Sequence, residues 1–322
     1  IFMDISIVIV NYNSWVVLED CIESINNLNT TLAIETLVVD NQSPNDLLLH
    51  YQQKYPFIKW IKNTGNNGFA NGCNLGAAKA TGSFLFFLNP DTRLQNNVLE
   101  HFLTIYSKEK IGLLTCLQTN ERGNLHKYNL LFPTPLHTFG LLRSKKKKKK
   151  KATLANHFNE SKLRSYPDWL SGSAIFISKE NFKLISEWNE DYWMYFEDVD
   201  LCKKAQLKNL NCVVTKEVSL FHLHGGASRI NPKTKAITKA EVLKSRHIYI
   251  DTYFSKASKA WLQPLLVTNN LTSIGVFALL SYPLFFIKKL QVSRYKWKEM
   301  KSYYLHVLKN KTWLSERSMN LK

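Results

Sequence analysis

The feature that most constrains the fold is a run of five apolar residues that ends abruptly in polar ones. Phe84 to Leu88 is bounded by Gly82 on one side and by Pro90 on the other. An apolar run of this length predicts a strand that is buried on both faces, as in a parallel sheet covered by helices. Pro90 cannot continue a hydrogen-bonded ladder, so we expect Asp91 in the loop just past the carboxyl end of the strand. Ligands bind at that edge of an open α/β sheet, although an aspartate there can equally cap a following helix.

Three similar strands precede this one, and a helical pattern follows each of them. The predicted strands cover residues 5–10, 35–40 and 58–61, and the predicted helices cover residues 15–28, 47–55 and 73–80. This alternation is typical of an α/β fold with a doubly wound, mostly parallel central sheet and helices on both faces. The four strand ends would then bring a set of polar residues and one glycine to a single edge: Asn11, Asn13, Asp40, Asn41, Asn66, Gly68 and Asp91.

The residues at this edge have a coherent chemistry. A carboxylate such as Asp40 can accept a hydrogen bond from a ribose hydroxyl or a pyrimidine N–H. Asp91 offers the oxygen ligand that Mg²⁺ and Mn²⁺ prefer. The glycine-rich turn at residues 65–72 would let the backbone approach a ligand closely, but it is neither a phosphate-binding loop nor a dinucleotide fingerprint. Each turn taken alone is also compatible with ordinary strand-to-helix loop chemistry.

A second group of acidic residues follows an aromatic segment. Glu197, Asp198 and Asp200 come directly after residues 192–196, which include Tyr, Trp and Phe. A carboxylate beside aromatic rings is partly desolvated, which raises its pKa towards the range that suits a general base. The alternative is that Asp198 or Asp200 caps the helix predicted over residues 201–207, and we interpret Asp200 in this way.

Two further segments carry candidate ligands. Short strands are predicted at residues 213–214 and 218–221, and the second leads into His222 and His224, either of which suits Mn²⁺ in a mixed nitrogen and oxygen site. The spacing does not decide between the two histidines. Ser228 and Arg229 follow in a glycine-containing loop, where an arginine could bind a diphosphate in bidentate fashion.

Four segments in the first half, taken together, resemble the family 2 glycosyltransferases, and most closely their rhamnosyltransferase-like branch. They are Val-Asn-Tyr-Asn-Ser at 10–14, Val-Val-Asp-Asn-Gln-Ser at 38–43, Asn-Asn-Gly-Phe-Ala-Asn-Gly-Cys-Asn at 66–74 and Leu-Asn-Pro-Asp at 88–91. The resemblance covers about residues 4–230 and implies a GT-A fold, a nucleotide-diphosphate sugar donor and inversion at the anomeric carbon. Asn89 stands where the family's DxD motif has its first aspartate, so a single carboxylate would hold the metal.

The resemblance also implies roles for individual residues. Asp198 matches the aspartate of the family's ED motif, which is the catalytic base, and Glu197 would support it or contact the acceptor. The nucleotide sugar would be bound by Asn11, Asn13, Asp40, Asn41, Asn66, Gly68, Asn74, Asp91, Ser228 and Arg229. Donor and acceptor would meet near Trp169, Ser171, Gly172 and Trp193, although Trp169 can also be a core residue. The metal, Mg²⁺ or Mn²⁺, would be bound by Asp91 together with His222 or His224.

Charge and hydropathy point to a membrane partner. The net charge of +18 indicates an anionic partner. The lysine run at residues 145–151 predicts a flexible loop over residues 144–152, which is either a plain solvated tract or an electrostatic contact with an anionic membrane. Residues 271–287 carry no charge and are just long enough to cross a bilayer. Pro283 and the flanking Lys, Trp and Tyr residues favour a re-entrant or interfacial helix pair, and a buried helical hairpin is the alternative.

These observations predict two regions. A GT-A domain over residues 1–230, with a nucleotide-binding half at 1–93 and an acceptor and catalytic half at 94–230, would precede a helical, membrane-associating region at 231–322. The predicted function is metal-dependent transfer of a sugar to a hydroxyl of a polyprenyl-diphosphate-linked glycan, in the synthesis of cell-surface polysaccharide or O-antigen at the cytoplasmic face of the membrane. L-rhamnose from a dTDP donor is the first candidate, and a UDP-hexose or UDP-N-acetylhexosamine is the alternative.

Two other classes of protein were weighed against this prediction. A nucleotidyltransferase would need a phosphate-gripping loop with Lys or Arg after the first strand, and residues 11–14 offer none. A non-enzymatic, basic membrane- or nucleic-acid-binding protein is suggested by charge alone. The leading prediction includes no nucleic-acid partner.

Overall fold

The computed structural model describes residues 3–95, 97–107, 110–127, 130–135, 163–223 and 231–321. The chain divides into two compact units. The first comprises Ile1–Asn66, Asn71–Asn189 and Asp198–His224, and the second comprises Asn67–Ala70, Glu190–Glu197 and Gly225–Lys322. The predicted lysine-rich loop at 144–152 and the candidate site residues His224, Ser228 and Arg229 lie outside the described residues.

Nine strands in the described part of the first unit form one mixed sheet. They are β1 (Ile5–Asn11), β2 (Ile34–Asp40), β3 (Lys59–Lys62), β4 (Phe84–Leu88), β5 (Thr92–Arg93), β6 (Ile111–Thr119), β7 (Arg164–Ser165), β8 (Ala174–Ser178) and β9 (Asn211–His222). The order across the sheet is β3-β2-β1-β4-β8-β6-β9-β5, and β7 pairs with β9. Strands β1 to β4 are mutually parallel, β8 is antiparallel to its neighbours β4 and β6, and β6 is parallel to β9.

Alternation along β1 determines which side chains face each layer of helices. Ile5, Ile7 and Ile9 belong to one buried cluster with apolar residues of helices α1 (Trp15–Asn26), α2 (Leu48–Lys54) and α4 (Val98–Tyr106). The intervening residues point to the opposite face because the side-chain period of a strand is two. The sheet therefore has an apolar layer on both faces, as the unbroken apolar runs of the sequence predict.

Helix α3 (Phe69–Lys79) packs on that opposite face, and two glycines permit the approach. A Cβ at Gly76 would lie 2.4 Å from Val8 Cγ1, and one at Gly72 would lie 2.7 Å from Val10 Cγ1. Any larger residue at these positions would push the helix off the sheet. The predicted helix begins only at residue 73, because glycine-rich sequence is typical of a turn rather than of a helix.

The segment from 179 to 223 differs from the prediction in two ways. Helix α5 (Lys179–Leu184) follows β8, and helix α6 begins at Glu197 and ends at Leu207, four residues earlier than predicted at its start. Asp200 is therefore inside α6, where it is buried and lies 3.3 Å from Lys204 Nζ, so its interpretation as a cap is wrong. The two short strands predicted around residues 213 and 220 are one continuous strand, β9, with an irregularity in its pairing to β6.

The second unit is helical in its described part. It contains α7 (Pro232–Tyr253), α8 (Lys256–Leu280), α9 (Lys288–Asn310) and a short 3₁₀ helix at Met319–Leu321. Its apolar core includes Ala240, Ile274, Met300, Tyr303 and Tyr304. The uncharged run at 271–287 is not one helix, because α8 ends at Leu280 and a series of turns connects it to α9.

A buried ionic cluster ties the last described residues into this unit. Glu241 is fully buried and accepts hydrogen bonds from Lys244 Nζ at 2.9 Å, from Ser315 Oγ at 3.1 Å and from Arg317 Nη1 at 2.6 Å. The Arg317 guanidinium also lies 5.4 Å from the centre of a Trp193 ring. The arginine thus connects the cluster to the aromatic segment that precedes α6.

Residues 315–320 also form hydrogen bonds with the two residues just before that aromatic segment. Ser318 Oγ donates to the carbonyl oxygen of Asp191, and the Met319 N–H donates to that of Glu190 at 3.2 Å. Asn320 Nδ2 donates to Asp191 Oδ1 at 2.8 Å. The conformation of residues 190–197 therefore depends on a segment far along the chain.

Candidate active site

The carboxyl ends of β1 and β2 meet in a buried polar cluster. Asn11 and Asp40 are directly opposite each other in the parallel ladder, and Asn11 Nδ2 donates to Asp40 Oδ1 at 3.2 Å. Ser43 adds two donors to the same carboxylate, from its N–H to Oδ2 at 3.1 Å and from its Oγ to Oδ1 at 2.5 Å. These bonds fix the orientation of Asp40 in the absence of any ligand, as a recognition site requires. Ser43 was not among the predicted site residues, although it stands in the segment that carries the resemblance.

The predicted residues next to this cluster differ in their exposure and in their hydrogen bonds. Asn13 is exposed, adopts a left-handed backbone with φ of +52°, and its N–H donates to Ser43 Oγ at 2.8 Å. Asn41 is buried, and its Oδ1 accepts from Asn63 Nδ2 at 2.9 Å, which joins the ends of β2 and β3. Asn66 is half-buried in the turn after β3.

Two predicted binding positions have packing roles. Gly68 has a φ of +94°, and a Cβ there would lie 2.3 Å from the carbonyl oxygen of Trp193, so the close approach that it permits is to protein backbone rather than to a ligand. Asn74 uses both ends of its amide on one residue: Nδ2 donates to Trp188 O at 2.9 Å, and Oδ1 accepts from Trp188 N–H at 3.1 Å. The structure thus shows internal contacts for Gly68 and Asn74, and their predicted contacts with a ligand stay predictions.

Asp91 and His222 are brought together by a pairing that the sequence did not predict. The two-residue strand β5 runs antiparallel to β9, with Thr92 opposite His222. Asp91 precedes Thr92, and its Oδ1 lies 3.3 Å from His222 Nε2. Asp91 is followed by a strand rather than a helix, so the alternative role of a helix cap does not apply.

The hydrogen bonds of His222 indicate how its imidazole is oriented. Its Nδ1 lies 2.8 Å from Gln118 Oε1, which also accepts from Ser173 Oγ at 2.9 Å. An acceptor at Nδ1 places the ring hydrogen there, so Nε2 of a neutral imidazole presents its lone pair towards the Asp91 carboxylate. Gln118, which lies near the end of β6, was not among the predicted site residues.

This arrangement fits a divalent cation. A carboxylate oxygen and an oriented imidazole nitrogen 3.3 Å apart are a usual ligand pair for Mn²⁺. In the part of the chain that the structure describes, no three His, Cys, Asp or Glu side chains gather in a metal-binding group. Asp91 and His222 would therefore be two of the ligands, and the oxygens of a diphosphate and of water would complete the set.

Asp198 lies at the start of α6 after an unusual backbone conformation. Tyr195 and Phe196, directly before the helix, both have left-handed φ angles, of +70° and +69°. Such angles in aromatic residues are strained and are typical of functional segments. They end the aromatic segment immediately before Glu197, which is buried, and Asp198, which is half-buried.

The Asp198 carboxylate is fixed by two backbone donors and has an altered pKa. Gly172 N–H donates to its Oδ2 at 3.1 Å, and Val199 N–H donates to its Oδ1 at 2.8 Å. Burial raises the pKa of Asp198 to about 6, against the opposing effect of these two donors. A partly accessible carboxylate with this pKa is ionised at neutral pH and is a stronger base than an ordinary aspartate.

A cavity of about 530 Å³ opens beside His222 in the first unit. Its walls include Trp169 and Ser171, which were predicted, and His126 and Lys127, which were not. Trp169 Nε1 donates to Leu131 O at 3.1 Å, which fixes the indole ring on the wall. The His126 ring lies 5.1 Å from that of His222. The cavity thus borders His222 and offers aromatic, hydroxyl and cationic groups.

The predicted pocket residues are accordingly divided. Trp169 and Ser171 line this cavity, and Gly172 binds Asp198 through its N–H. Trp193 belongs to the second unit, where its carbonyl oxygen accepts from Phe69 N–H at 3.1 Å. His126 and Lys127 follow the end of β6, in a region where the sequence offers little periodicity, so no local signal singled them out.

Residues 6–164 match the family described as Glycosyl transferase family 2. Among curated proteins, the chain is 26% identical over 229 residues to the low-salt glycan biosynthesis hexosyltransferase Agl10 of Haloferax volcanii. The aligned region covers 68% of this chain and 67% of that protein. It is also 26% identical over 202 residues to the rhamnosyltransferase WbbL of Escherichia coli K12, which covers 59% of this chain and 73% of that protein.

A solved structure shares the fold at low identity. The crystal structure of GalNAc-T7 with UDP, GalNAc and Mn²⁺ superposes with a TM-score of 0.59 at 14% identity. The match covers 96% of this chain, but the chain spans only 58% of the length of that protein. The likeness agrees with the GT-A architecture of a mixed, mostly parallel sheet with helices.

Proposed function

We propose, from the match of residues 6–164 to glycosyl transferase family 2, that the protein is a metal-dependent, inverting glycosyltransferase. It moves a hexosyl or deoxyhexosyl group from a nucleotide-diphosphate donor to a hydroxyl group of a glycan acceptor. The observation that carries the proposal is the Asp91 and His222 pair, 3.3 Å apart at the ligand-binding edge of the sheet. The pair supplies two ligands for a diphosphate-bound cation. Asp198 supplies a carboxylate of raised pKa that can take the proton of the attacking hydroxyl.

The nucleoside of the donor is recognised at the carboxyl ends of β1 and β2. Asp40 accepts hydrogen bonds from the base or ribose, and Asn11 and Ser43 keep its carboxylate oriented. The exposed side chain of Asn13 extends this surface. Among the described residues, we therefore assign nucleoside binding to these side chains rather than to Gly68 or Asn74.

Asp198 takes the proton of the acceptor hydroxyl. The acceptor oxygen then forms a bond to the anomeric carbon as the bond from that carbon to the diphosphate oxygen breaks, and the sugar inverts. Gly172 and Val199 keep the carboxylate in place through their N–H groups. The reaction requires Asp198 in its ionised form, which its pKa of about 6 allows at neutral pH.

Asp91 and His222 would hold a divalent cation, which would neutralise the charge that develops on the departing nucleotide diphosphate. Gln118 orients His222 through Nδ1. Because a nitrogen ligand is present, we expect Mn²⁺ to support activity at least as well as Mg²⁺.

The sugar and the acceptor are proposed at a coarser level. A rhamnosyltransferase and a hexosyltransferase are equally similar to the chain, at 26% identity each, so dTDP-L-rhamnose and UDP-hexoses are the first donors to test. Both relatives have names from glycan synthesis or sugar transfer, and the acceptor that we propose is a growing glycan on a polyprenyl diphosphate. Such an acceptor would require the enzyme to work at the cytoplasmic face of the membrane.

The test is donor binding across a panel of nucleotide sugars, with and without Mn²⁺ or Mg²⁺. The panel comprises dTDP-rhamnose, UDP-glucose, UDP-galactose, UDP-N-acetylglucosamine and GDP-mannose. We expect one of them to bind in a metal-dependent way, and we expect Asp91→Ala to lose that dependence. Slow hydrolysis of the same donor would give a second readout that needs no acceptor.

Glu180→Ala is the matched control. Glu180 is an exposed carboxylate just after the end of β8, which runs antiparallel to β4 and so ends at the opposite edge of the sheet. This variant should bind the donor like the wild type. If no donor binds under any metal condition, or if Asp91→Ala and Glu180→Ala behave alike, the proposal fails and a non-enzymatic basic protein becomes the better explanation.

A further inference from the structure

An exposed apolar surface lies where α8 ends and the chain turns towards α9. Val276, Phe277 and Leu279 are more than half exposed on the last turns of α8, and Tyr282, Phe285 and Phe286 are 64–68% exposed in the turns that follow. We call the exposed side chains of residues 276–287 the apolar tip. Contiguous exposed side chains of this size mark an interaction surface, because a soluble protein rarely leaves them in water.

The rest of α8 shows that this surface is not part of a membrane-spanning helix. By length and composition α8 is the one described helix that passes as a candidate span. One face of α8 is buried, with Ile274 in the core of the unit and Gly275 against the Trp297 ring of α9. The middle of its outer face carries exposed Thr268, Asn269, Thr272 and Ser273. The large apolar side chains exposed on α8 are therefore at its two ends, with Trp261 and Leu265 near its start and the others on its last turns.

The partner helix is also unsuited to a bilayer interior. Helix α9 begins with Lys288 and Lys289 and continues through Arg294, Lys296 and Lys298. Burying these charges in hydrocarbon would be costly. A helix pair in which one member is cationic and the other is polar at mid-length can touch a bilayer only with its connecting end.

The charges around the apolar tip indicate the charge of the lipid headgroups that it would contact. Between Asp251 and Glu299 the sequence holds seven Lys or Arg residues and no acid. Lys288 and Lys289 are exposed directly after the tip, and the Arg294 guanidinium lies 5.7 Å from the centre of the Tyr282 ring. Cations beside exposed aromatic side chains match an anionic headgroup layer, where the rings enter the interface and the cations meet lipid phosphates.

The connection has a defined conformation that presents these rings outwards. Gln291 Nε2 donates to the carbonyl oxygen of Phe285 at 2.7 Å, and Ser281 is buried with its Oγ donating to Ala278 O. The backbone is therefore tied to both helices while the side chains point to solvent. A surface held in place in this way can insert without first being ordered.

We propose that the apolar tip is the membrane-docking element of this protein and that it inserts shallowly into an anionic bilayer, with Lys288, Lys289 and Arg294 on the lipid phosphates. This inference deepens the proposed function, because a lipid-linked acceptor requires the enzyme at a bilayer surface. It excludes a transmembrane role for residues 271–287.

The experiment is co-sedimentation of the full chain with vesicles of phosphatidylcholine alone or mixed with phosphatidylglycerol. We expect binding to the mixed vesicles, weaker binding as salt rises, and little binding to phosphatidylcholine alone. The double variant Phe285→Ser with Phe286→Ser should lower the partition coefficient at least tenfold. Both side chains are exposed, so we expect the fold to be kept, with unchanged circular dichroism.

The matched control is Leu305→Ser with Leu308→Ser. These leucines are as exposed as the tip residues and lie near the other end of α9, about 30 Å along the helix. This control variant should bind vesicles like the wild type. Equal binding by the tip variant and the wild type would overturn the proposal, and so would failure of the wild type to bind anionic vesicles.

Two further readouts separate the remaining outcomes. If sedimentation equilibrium shows a dimer that the Phe285 and Phe286 variant dissociates, the surface seats a second copy and the membrane proposal is overturned. Metal-dependent donor binding in solution does not involve the tip, so it should be unchanged in the variant. Vesicle binding without any donor binding would leave the docking inference standing while the proposed glycosyl transfer fails.

Discussion

The raised pKa of Asp198 predicts a specific pH dependence of turnover. Only the ionised carboxylate can take a proton, so the rate follows the ionised fraction of this group. With a pKa of about 6, that fraction is about nine tenths at pH 7 and about one tenth at pH 5. The value of kcat/KM should therefore fall about tenfold between pH 7 and pH 5. An aspartate with the ordinary pKa of about 3.9 would lose less than about 10% over the same interval.

The assay is initial-rate release of the nucleotide diphosphate at constant ionic strength, with the acceptor varied at saturating donor and metal. Donor affinity is measured in parallel, because a fall in donor binding at low pH would imitate the effect. The Asp198→Asn variant should bind the donor normally and show a small residual rate that is almost independent of pH between 5 and 7. A wild-type profile that changes less than twofold would refute the raised pKa, and normal turnover by Asp198→Asn would refute its role as the base.

Two further predictions concern stability. Gly68→Ala should destabilise the protein by about 2–5 kcal/mol, because left-handed strain adds to a clash with Trp193 O. Gly123→Ala should lose only about 1–2 kcal/mol, since Gly123 shares the positive φ but has open space around it, and equal shifts of the two melting temperatures would contradict this reasoning. Glu241→Gln should destabilise by about 3–5 kcal/mol in urea denaturation, because it leaves Lys244 buried beside a neutral group. Glu299 is a partly exposed carboxylate that contacts the same cations, so the Glu299→Gln variant should lose only about 1 kcal/mol or less of unfolding free energy. A larger loss in this variant than in Glu241→Gln would contradict the buried cluster as the source of stability.

The first hundred residues could be predicted well because their signals are local. Strands β1, β2 and β4 are short, largely apolar runs, and polar residues mark where each of them ends. Parallel strands place their carboxyl ends at one edge, so the meeting of Asn11 with Asp40 follows from the pattern alone. The role of Asp198 is supported by a raised pKa of the kind that burial beside aromatic residues predicts.

The rest depends on contacts between distant segments or on rare backbone conformations. Strand β5 has only two residues and exists because it pairs with β9, so no local pattern could place Asp91 against His222. The start of α6 follows two aromatic residues in left-handed conformations, which no intrinsic preference favours. Gly72 was interpreted as part of a turn that approaches a ligand, whereas it lies in α3 and permits close packing on Val10. In each case tertiary packing overrides the local signal.

The hold of residues 315–320 on the aromatic segment has a consequence for synthesis of the chain. The carbonyl oxygens of Glu190 and Asp191 accept hydrogen bonds from residues that emerge from the ribosome about 120 positions later. At about 5–20 residues per second, this delay is on the order of 6–25 s. During that interval Arg317 is not yet beside the Trp193 ring. All strands of the described central sheet have by then been synthesised. A nascent chain can thus form its sheet before residues 190–191, which precede Asp198, receive these hydrogen bonds.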